Sequence, residues 1–163
     1  MFSSEFEIEN FKIGTKPFII AEMSGNHNQS IERAFQIVDA AAAAGAHALK
    51  LQTYTADTIT FNGHSDEFLI KDPNSLWQEQ KSLHNLYTLA YTPWEWHQAI
   101  FDRAKSLGMI AFSSPFDTTA VDFLESLAVP CYKIASFENT DHILLKKVAQ
   151  TGKPVIMSTG VAT

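Results

Sequence analysis

Two lysines lie inside short apolar segments of the sequence and three serines lie at the ends of such segments, and together they could bind an anion. Lys50 and Lys133 each lie inside an apolar segment rather than beside one. An unpaired buried ammonium group is costly, so a lysine that points inward predicts an anionic partner. Ser114, Ser136 and Ser158 would add hydroxyl donors. The five side chains together would form a cradle for a phosphate or a carboxylate.

Each lysine also has a plainer interpretation, as a charge that keeps an exposed edge strand from pairing with other chains. The occurrence of both lysines in such segments favours the anion site. One geometric difficulty remains, because Lys133 and Ser136 have opposite parity and a regular strand would point them to opposite faces. Both can serve one site only if the strand ends or bulges near Ala135.

Carboxylates and an amide complete the polar strand ends, at Glu22, Gln52 and Glu138. A carboxylate beside an anion site can orient a polar substrate or move a proton. His27, in the first strand–helix loop, could contact a ligand, although a loop-capping role is equally consistent with its position. His97 is interpreted as structural or solvated. The sequence has no HxxxH, HExxH, GxGxxG or P-loop pattern, which argues against a helical metal site or a dinucleotide site.

The elements that must position these residues alternate regularly between strand and helix. The apolar segments predict strands over 17–22, 47–54, 109–114, 131–136 and 154–158. The helical patterns predict helices over 30–44, 92–107, 118–127 and 141–150, with Thr92, Pro93 and Glu95 forming a capping box. The irregular stretch over 55–91 predicts an inserted loop above one end of the sheet.

Near-continuous apolar strands between helices predict a parallel sheet in an α/β fold. A doubly wound sheet could accept five strands. A (β/α)8 barrel needs three more strand–helix units and roughly 250 residues. In both folds ligands bind at the carboxyl ends of the strands, where the polar residues of this sequence stand.

Composition narrows the class of protein. The 163 residues carry 12 Lys and Arg against 18 Asp and Glu, a formal charge of −6, which disfavours nucleic-acid binding. No apolar run approaches the roughly 18–20 residues of a membrane span, and the start of the chain is acidic where a signal peptide is basic. The single Cys131 suits a reducing compartment. We therefore expect a cytoplasmic, single-domain protein that binds neither nucleic acid nor membrane.

The strand ends carry ordered motifs that resemble those of the sialic acid synthase family. The motifs are Ile19-Ile-Ala-Glu-Met-Ser-Gly-Asn-His27, Leu49-Lys-Leu-Gln-Thr-Tyr54, Phe112-Ser-Ser-Pro-Phe116, Tyr132-Lys-Ile-Ala-Ser-Phe-Glu138 and Ser158-Thr-Gly160. Three stretches are most similar to those of the pseudaminic acid synthases: 52–55, 93–97 and 136–138. N-acetylneuraminate synthases usually have glycine where this sequence has Phe137.

The resemblance implies a (β/α)8 barrel that condenses phosphoenolpyruvate with the open-chain form of a 2-acetamido sugar and releases phosphate. For this subfamily the sugar would be a 2,4-diacetamido-2,4,6-trideoxyhexose and the product pseudaminic acid. The resemblance places Glu22 and Glu138 at the reacting centre. It assigns substrate binding to Lys50, Gln52, Ser114, Phe116, Lys133, Ser136 and Ser158. Asn26, His27 and Tyr54 are candidate sugar contacts.

The resemblance also implies parts that residues 1–163 do not supply. We interpret the chain as the N-terminal portion of the barrel, about five βα units, without the C-terminal antifreeze-like domain. A divalent metal (Mn²⁺, Mg²⁺ or Co²⁺) is expected to take its histidine ligands from later strands, with no metal ligand in this chain. The full-length protein is expected to be a homodimer, and the 163-residue chain alone to be inactive.

Other functions stay open on the sequence alone. Within the family, N-acetylneuraminate or legionaminic acid synthesis is an alternative. A deoxy-sugar-acid phosphate synthase is a rival barrel that also uses phosphoenolpyruvate, although the Ser-Phe-Glu and Pro-Trp-Glu-Trp-His motifs count against it. A non-catalytic anion-binding fragment is a rival from another class.

Overall fold

The computed structural model describes residues 6–14, 16–160 and 162, so part of the acidic start lies outside the described residues. The strands are β1 (Phe6–Ile8), β2 (Phe11–Ile13), β3 (Ile20–Glu22), β4 (Ala48–Thr53), β5 (Ile110–Pro115), β6 (Tyr132–Ile134) and β7 (Val155–Met157). The α-helices are α1 (Ile31–Ala43), α2 (Ala56–Ile59), α3 (Leu83–Ala90), α4 (His97–Ser106), α5 (Thr118–Ser126) and α6 (His142–Gln150). None of the helices in these ranges is long and apolar enough to cross a membrane.

The main sheet contains β3 to β7, all parallel and in the same order as in the sequence. A doubly wound sheet reverses its strand order at a switch point, whereas a (β/α)8 barrel adds each strand beside the previous one. The observed order is therefore that of consecutive barrel units. The register sets Glu22 beside Lys50, and Lys50 beside Phe112.

Apolar side chains cover both faces of this sheet. The face toward the helices carries Leu49, Leu51 and Ile134, which pack with buried residues of α1, α4, α5 and α6. The opposite face carries Ala48 and Phe112, in a second apolar cluster. Because side chains alternate along a strand, Lys50 and Gln52 lie on this second face. That face would be the interior of a barrel.

A hairpin formed by β1 and β2 covers the second apolar cluster at the amino ends of the sheet strands. Its strands pair antiparallel, and its Ile8 and Phe11 are buried against Ala48, Ile110 and Phe112. No local sequence pattern predicts these two strands. The hairpin fills the amino end of the sheet's interior face and leaves its carboxyl end for ligands.

The structure corrects two expectations about the chain between β4 and β5. Thr92 is not a helix cap, because Pro93 is extended (φ −50°, ψ 130°) and a 3₁₀ helix over Trp94–Trp96 precedes α4. The Thr92 hydroxyl instead hydrogen-bonds the His27 ring at 3.1 Å. The stretch over 55–91 is not one irregular loop, since it contains α2, α3 and two short 3₁₀ helices.

A series of buried hydrogen bonds joins the carboxyl-terminal parts of β4 and β5 to the start of α4. The ring of His97 contacts the Pro93 carbonyl through Nδ1 at 3.2 Å and the Thr53 hydroxyl through Nε2 at 2.9 Å. Since a carbonyl oxygen only accepts, Nδ1 carries the proton and Nε2 accepts from Thr53. The Thr53 oxygen then accepts from the Ser113 hydroxyl at 2.6 Å. The neutral ring thus has a partner for each nitrogen, as its structural interpretation predicts.

We expect this histidine to make the fold sensitive to mild acid. Burial lowers the pKa of His97 from 6.5 to about 4. Between pH 4 and pH 6.5 this histidine is therefore protonated in the unfolded chain and neutral in the folded chain. The stability contribution is complete above pH 6.5 and is lost as the pH falls toward 4. The free energy of unfolding should decrease by about 1–2 kcal/mol between pH 6.5 and pH 5.

Urea unfolding at several pH values measures this loss. The variant His97→Gln cannot titrate at that position and should show a smaller pH dependence, whatever its absolute stability. Burial also lowers the pKa of His27, which remains in both proteins and contributes the same residual slope. Equal slopes for the variant and the unmodified protein would contradict the role given to His97.

Candidate active site

The carboxyl ends of β3 and β4 bring an acid and a lysine together on the interior face. Glu22 and Lys50 are register partners, and the Nζ of Lys50 lies 2.5 Å from a Glu22 carboxylate oxygen. The lysine side chain is 10% exposed, whereas that of Glu22 is 42% exposed. The buried ammonium therefore has the anionic partner that it requires. A ligand can approach the pair from the side of Glu22.

Lys133 supplies a second ammonium group from β6. Its Nζ donates to the Ser158 hydroxyl at 2.5 Å and to the Ile134 carbonyl at 2.8 Å. Burial, together with the positive charge of Lys50, lowers the pKa of Lys133, while Glu22 and Glu138 oppose this change. Two ammonium groups close enough to interact would both be stabilised by an anion between them.

Ser114, at the end of β5, is buried, and its hydroxyl has no hydrogen-bond partner among the described residues. Buried hydroxyls are normally paired, so an unpaired one is available to a ligand. Ser114 is the register partner of Gln52, and alternation places both on the face of Lys50. The predicted cradle residues of β4 and β5 therefore share one face.

The parity difficulty at β6 is resolved by the end of the strand. β6 stops at Ile134, and Ser136 leads into a 3₁₀ helix over Phe137–Thr140. The turn brings Ser136 and Glu138 to the mouth of the site without a bulge. Burial, and secondarily the charge of Asp141, raises the pKa of Glu138. One carboxylate oxygen of Glu138 is buried with no hydrogen-bond partner among the described residues, which also leaves it available to a substrate.

A cavity of about 970 Å³ opens above these strand ends. Neither lysine lines it. Its lining includes Gln52, which follows Lys50 on the same face, so Lys50 lies one layer below the cavity floor. Ser136, Glu138 and Phe116 also line it. The predicted substrate-binding residues thus form two layers. The upper layer faces the cavity and contains Gln52, Phe116 and Ser136. The deep layer does not line the cavity and contains Lys50, Ser114, Lys133 and Ser158.

Two of the three candidate sugar contacts line the cavity, and the third does not. Asn26 and Tyr54 line the cavity, and burial raises the pKa of the Tyr54 hydroxyl, which therefore stays protonated. His27 is fully buried and does not line the cavity. Its ring nitrogens contact Thr92 and the Gln29 backbone N–H at 3.1 and 3.2 Å, so the structure supports its loop-capping role and gives no support to a sugar contact.

Comparison with known proteins decides the family. A model described as the NeuB family matches residues 37–163. The chain belongs to the NeuB family. It is 46% identical to pseudaminic acid synthase of Campylobacter jejuni over 157 residues, which cover 96% of this chain and 45% of that protein. The Helicobacter pylori pseudaminic acid synthase is 46% identical over 147 residues, or 90% of this chain and 42% of that protein.

The solved structures agree with the partial barrel. The NeuB-family chain is similar to the N-acetylneuraminic acid synthetase of Leptospira borgpetersenii, crystallised in complex with citrate, with a TM-score of 0.81 and 30% identity. That match covers 98% of this chain and 50% of the other. The chain therefore spans about half the length of the relatives and the structure that it matches. The predicted α/β class and barrel units are confirmed.

The resemblance places the ligands of the expected metal on later strands and not in this NeuB-family chain. Within residues 6–14, 16–160 and 162, no group of three or more His, Cys, Asp and Glu side chains is placed to hold an ion. Glu22 is paired with Lys50, and His27 and His97 use their ring nitrogens in the core.

One side of the cavity is formed by residues that the sequence did not predict as part of the site. Its outer side is formed by Trp77, Leu86, Tyr87 and Leu89, which we call the insertion wall. The last three belong to α3, an amphipathic helix in which no residue is fully buried. The apolar spacing in Leu83–Ala90 is the signal that could have indicated a helix here, and its lack of burial marks a surface that faces a cavity.

Proposed function

We propose that the protein condenses phosphoenolpyruvate with an open-chain 2,4-diacetamido-2,4,6-trideoxyhexose to give pseudaminic acid and phosphate. In this proposal residues 1–163 are the N-terminal portion of its (β/α)8 barrel. The observation that carries it is the pair Lys50 and Lys133, held with Glu22 at the strand ends beneath a cavity of about 970 Å³. The 46% identity to pseudaminic acid synthases supports the choice of sugar.

The deep layer would bind phosphoenolpyruvate. Its phosphate and carboxylate would accept charge-assisted hydrogen bonds from Lys50 and Lys133 and hydrogen bonds from Ser114 and Ser158. The incoming anion would compete with Glu22 for Lys50, because the two groups are already paired. Binding would therefore release the Glu22 carboxylate toward the reacting groups.

The carbon–carbon bond would form above this layer. The methylene carbon of phosphoenolpyruvate attacks the sugar aldehyde, the aldehyde oxygen takes up a proton, and the enol carbon becomes an oxocarbenium ion. Water adds to that carbon and loses a proton. Phosphate then leaves by cleavage of the C–O bond and takes up the proton of the new hydroxyl group, which becomes the keto group. Fixed ammonium and hydroxyl groups stabilise the anionic groups throughout.

Two carboxylates are available for the proton that the aldehyde oxygen takes up and for the first proton that the attacking water loses. The raised pKa of Glu138 favours it as the donor to the aldehyde oxygen, because a larger fraction carries a proton near neutral pH. Glu22 would then take the proton that the attacking water loses. Gln52 and Ser136 line the cavity floor, where they can hydrogen-bond sugar hydroxyl and amide groups.

Parallel assays of phosphate release with two sugars test this function in the whole protein. We expect a higher kcat/KM for the 2,4-diacetamido-2,4,6-trideoxyhexose than for N-acetylmannosamine, with phosphoenolpyruvate required in both cases. A clear preference for N-acetylmannosamine would overturn the choice of sugar. Release of phosphate from phosphoenolpyruvate without any sugar would contradict the condensation itself.

The assembly and location are proposed on the resemblance. We propose a homodimer in the cytoplasm that binds phosphoenolpyruvate and the sugar. Burial raises the pKa of the Cys131 thiol to about 12, so this cysteine is unreactive and needs no disulfide partner. Such a cysteine is consistent with a reducing compartment.

A further inference from the structure

The insertion wall faces the polar cavity floor and has a different chemistry. Leu86 and Leu89 offer no hydrogen-bonding group from their side chains, and Trp77 and Tyr87 present mainly ring carbon. We propose that the insertion wall binds the apolar substituents of the sugar, namely its C6 methyl group and acetamido methyl groups. This inference rests on the proposed function and identifies the residues that select the sugar.

The insertion wall is held in place by the loop after β3. The Gln29 side-chain amide donates to the Leu89 and Tyr91 carbonyls at 2.8 and 2.6 Å. Gly25 lies so close to the Ala90 carbonyl that a Cβ atom would be 2.6 Å from its oxygen. These contacts fix the end of α3 against the loop that lines the other side of the cavity. The binding surface is therefore formed before the sugar arrives.

Two members of the insertion wall are open to solvent at the cavity. Trp77 is 50% exposed and Leu89 is 53% exposed, although both line a cavity. Large apolar side chains around a pocket gain free energy when an apolar group displaces water from them. On the facing side, Phe137 is 81% exposed and adds to the same apolar mouth.

The two sugars differ at the groups that the insertion wall would contact. N-acetylmannosamine carries hydroxyl groups at C4 and C6, where the trideoxy sugar carries an acetamido group and a methyl group. A hydroxyl placed against Leu86 or Leu89 loses its hydrogen bonds to water and gains none from those side chains. A methyl group in the same place gains contact instead. Discrimination between such groups in an apolar pocket is about 10- to 200-fold.

The test compares both sugars in the whole protein with Trp77→Ala and Leu89→Gln. Both residues are half exposed, so neither change should prevent folding. We expect the ratio of kcat/KM for the trideoxy sugar to that for N-acetylmannosamine to fall by about tenfold or more. The KM for phosphoenolpyruvate should stay within about twofold, because the deep layer is unchanged. Leu76→Ala is the matched control, since Leu76 is 92% exposed and lies outside the cavity lining.

The outcomes separate this inference from the proposed function. If the unmodified protein turns over the trideoxy sugar and the variants keep its selectivity, the insertion wall does not select the sugar. The same conclusion follows if the variants lose activity toward both sugars equally. If the unmodified protein turns over neither sugar, the proposed function is wrong, and the inference that rests on it is wrong as well.

Discussion

Substitution of Glu138 by glutamine is expected to lower kcat by roughly a hundredfold to ten thousandfold, the usual contribution of a proton-transferring side chain. Glutamine keeps the size and much of the hydrogen bonding of glutamate, but it cannot donate or accept the proton. The KM for phosphoenolpyruvate should change little, because the lysines below the cavity floor are untouched. Steady-state rates of phosphate release, measured against each substrate, give both quantities.

The control for this variant is Glu67→Gln, which removes the charge of an exposed glutamate outside the cavity lining. It should retain full activity. A turnover number near that of the unmodified protein for Glu138→Gln would show that Glu138 has no essential role in the chemistry. Glu22 would then be the carboxylate to test for both proton transfers.

Replacement of Lys133 or Lys50 by alanine is expected to weaken phosphoenolpyruvate binding by roughly 10- to 150-fold each. Each change removes a charge-assisted hydrogen bond worth about 1.5–3 kcal/mol. Binding to the unmodified protein should also weaken as the pH rises through the lowered pKa of Lys133, since the neutral amine no longer attracts an anion. Titration calorimetry with phosphoenolpyruvate and the whole protein measures both effects.

A matched control for the two lysine variants is Lys146→Ala, which removes one positive charge from an exposed position of α6. Its affinity for phosphoenolpyruvate should equal that of the unmodified protein, apart from a small long-range effect that salt screens. Unchanged affinity in both Lys50→Ala and Lys133→Ala would contradict the proposal that the deep layer binds phosphoenolpyruvate.

The sequence predicted the sheet and its deep layer because both depend on local patterns. Short apolar segments between helices identified β3 to β7 to within a few residues, and lysines inside such segments indicated the shared interior face. Side-chain alternation alone also predicted that the strand must end or bulge near Ala135 if Lys133 and Ser136 serve one site. The structure meets this condition by ending β6 at Ile134.

The features that the sequence analysis missed depend on contacts between distant segments. The hairpin of β1 and β2 is stabilised by burial of Ile8 and Phe11 against β4 and β5, which no local pattern shows. The insertion wall depends on Gln29 and Gly25, more than 60 residues before α3 ends. His27 could be a ligand or a loop residue until its distance to Thr92 was known.

The order of the strands has a consequence for how the chain acquires its structure during synthesis. From β4 to β7, each strand of the main sheet pairs with the strand that precedes it in the sequence. As the polypeptide leaves the ribosome, β4 can add to β3 once α1 has formed, and β5, β6 and β7 can follow in turn. The contact order of the sheet is accordingly low for a parallel topology. Because chains fold from the N-terminal side during synthesis, the nascent sheet can grow at one advancing edge.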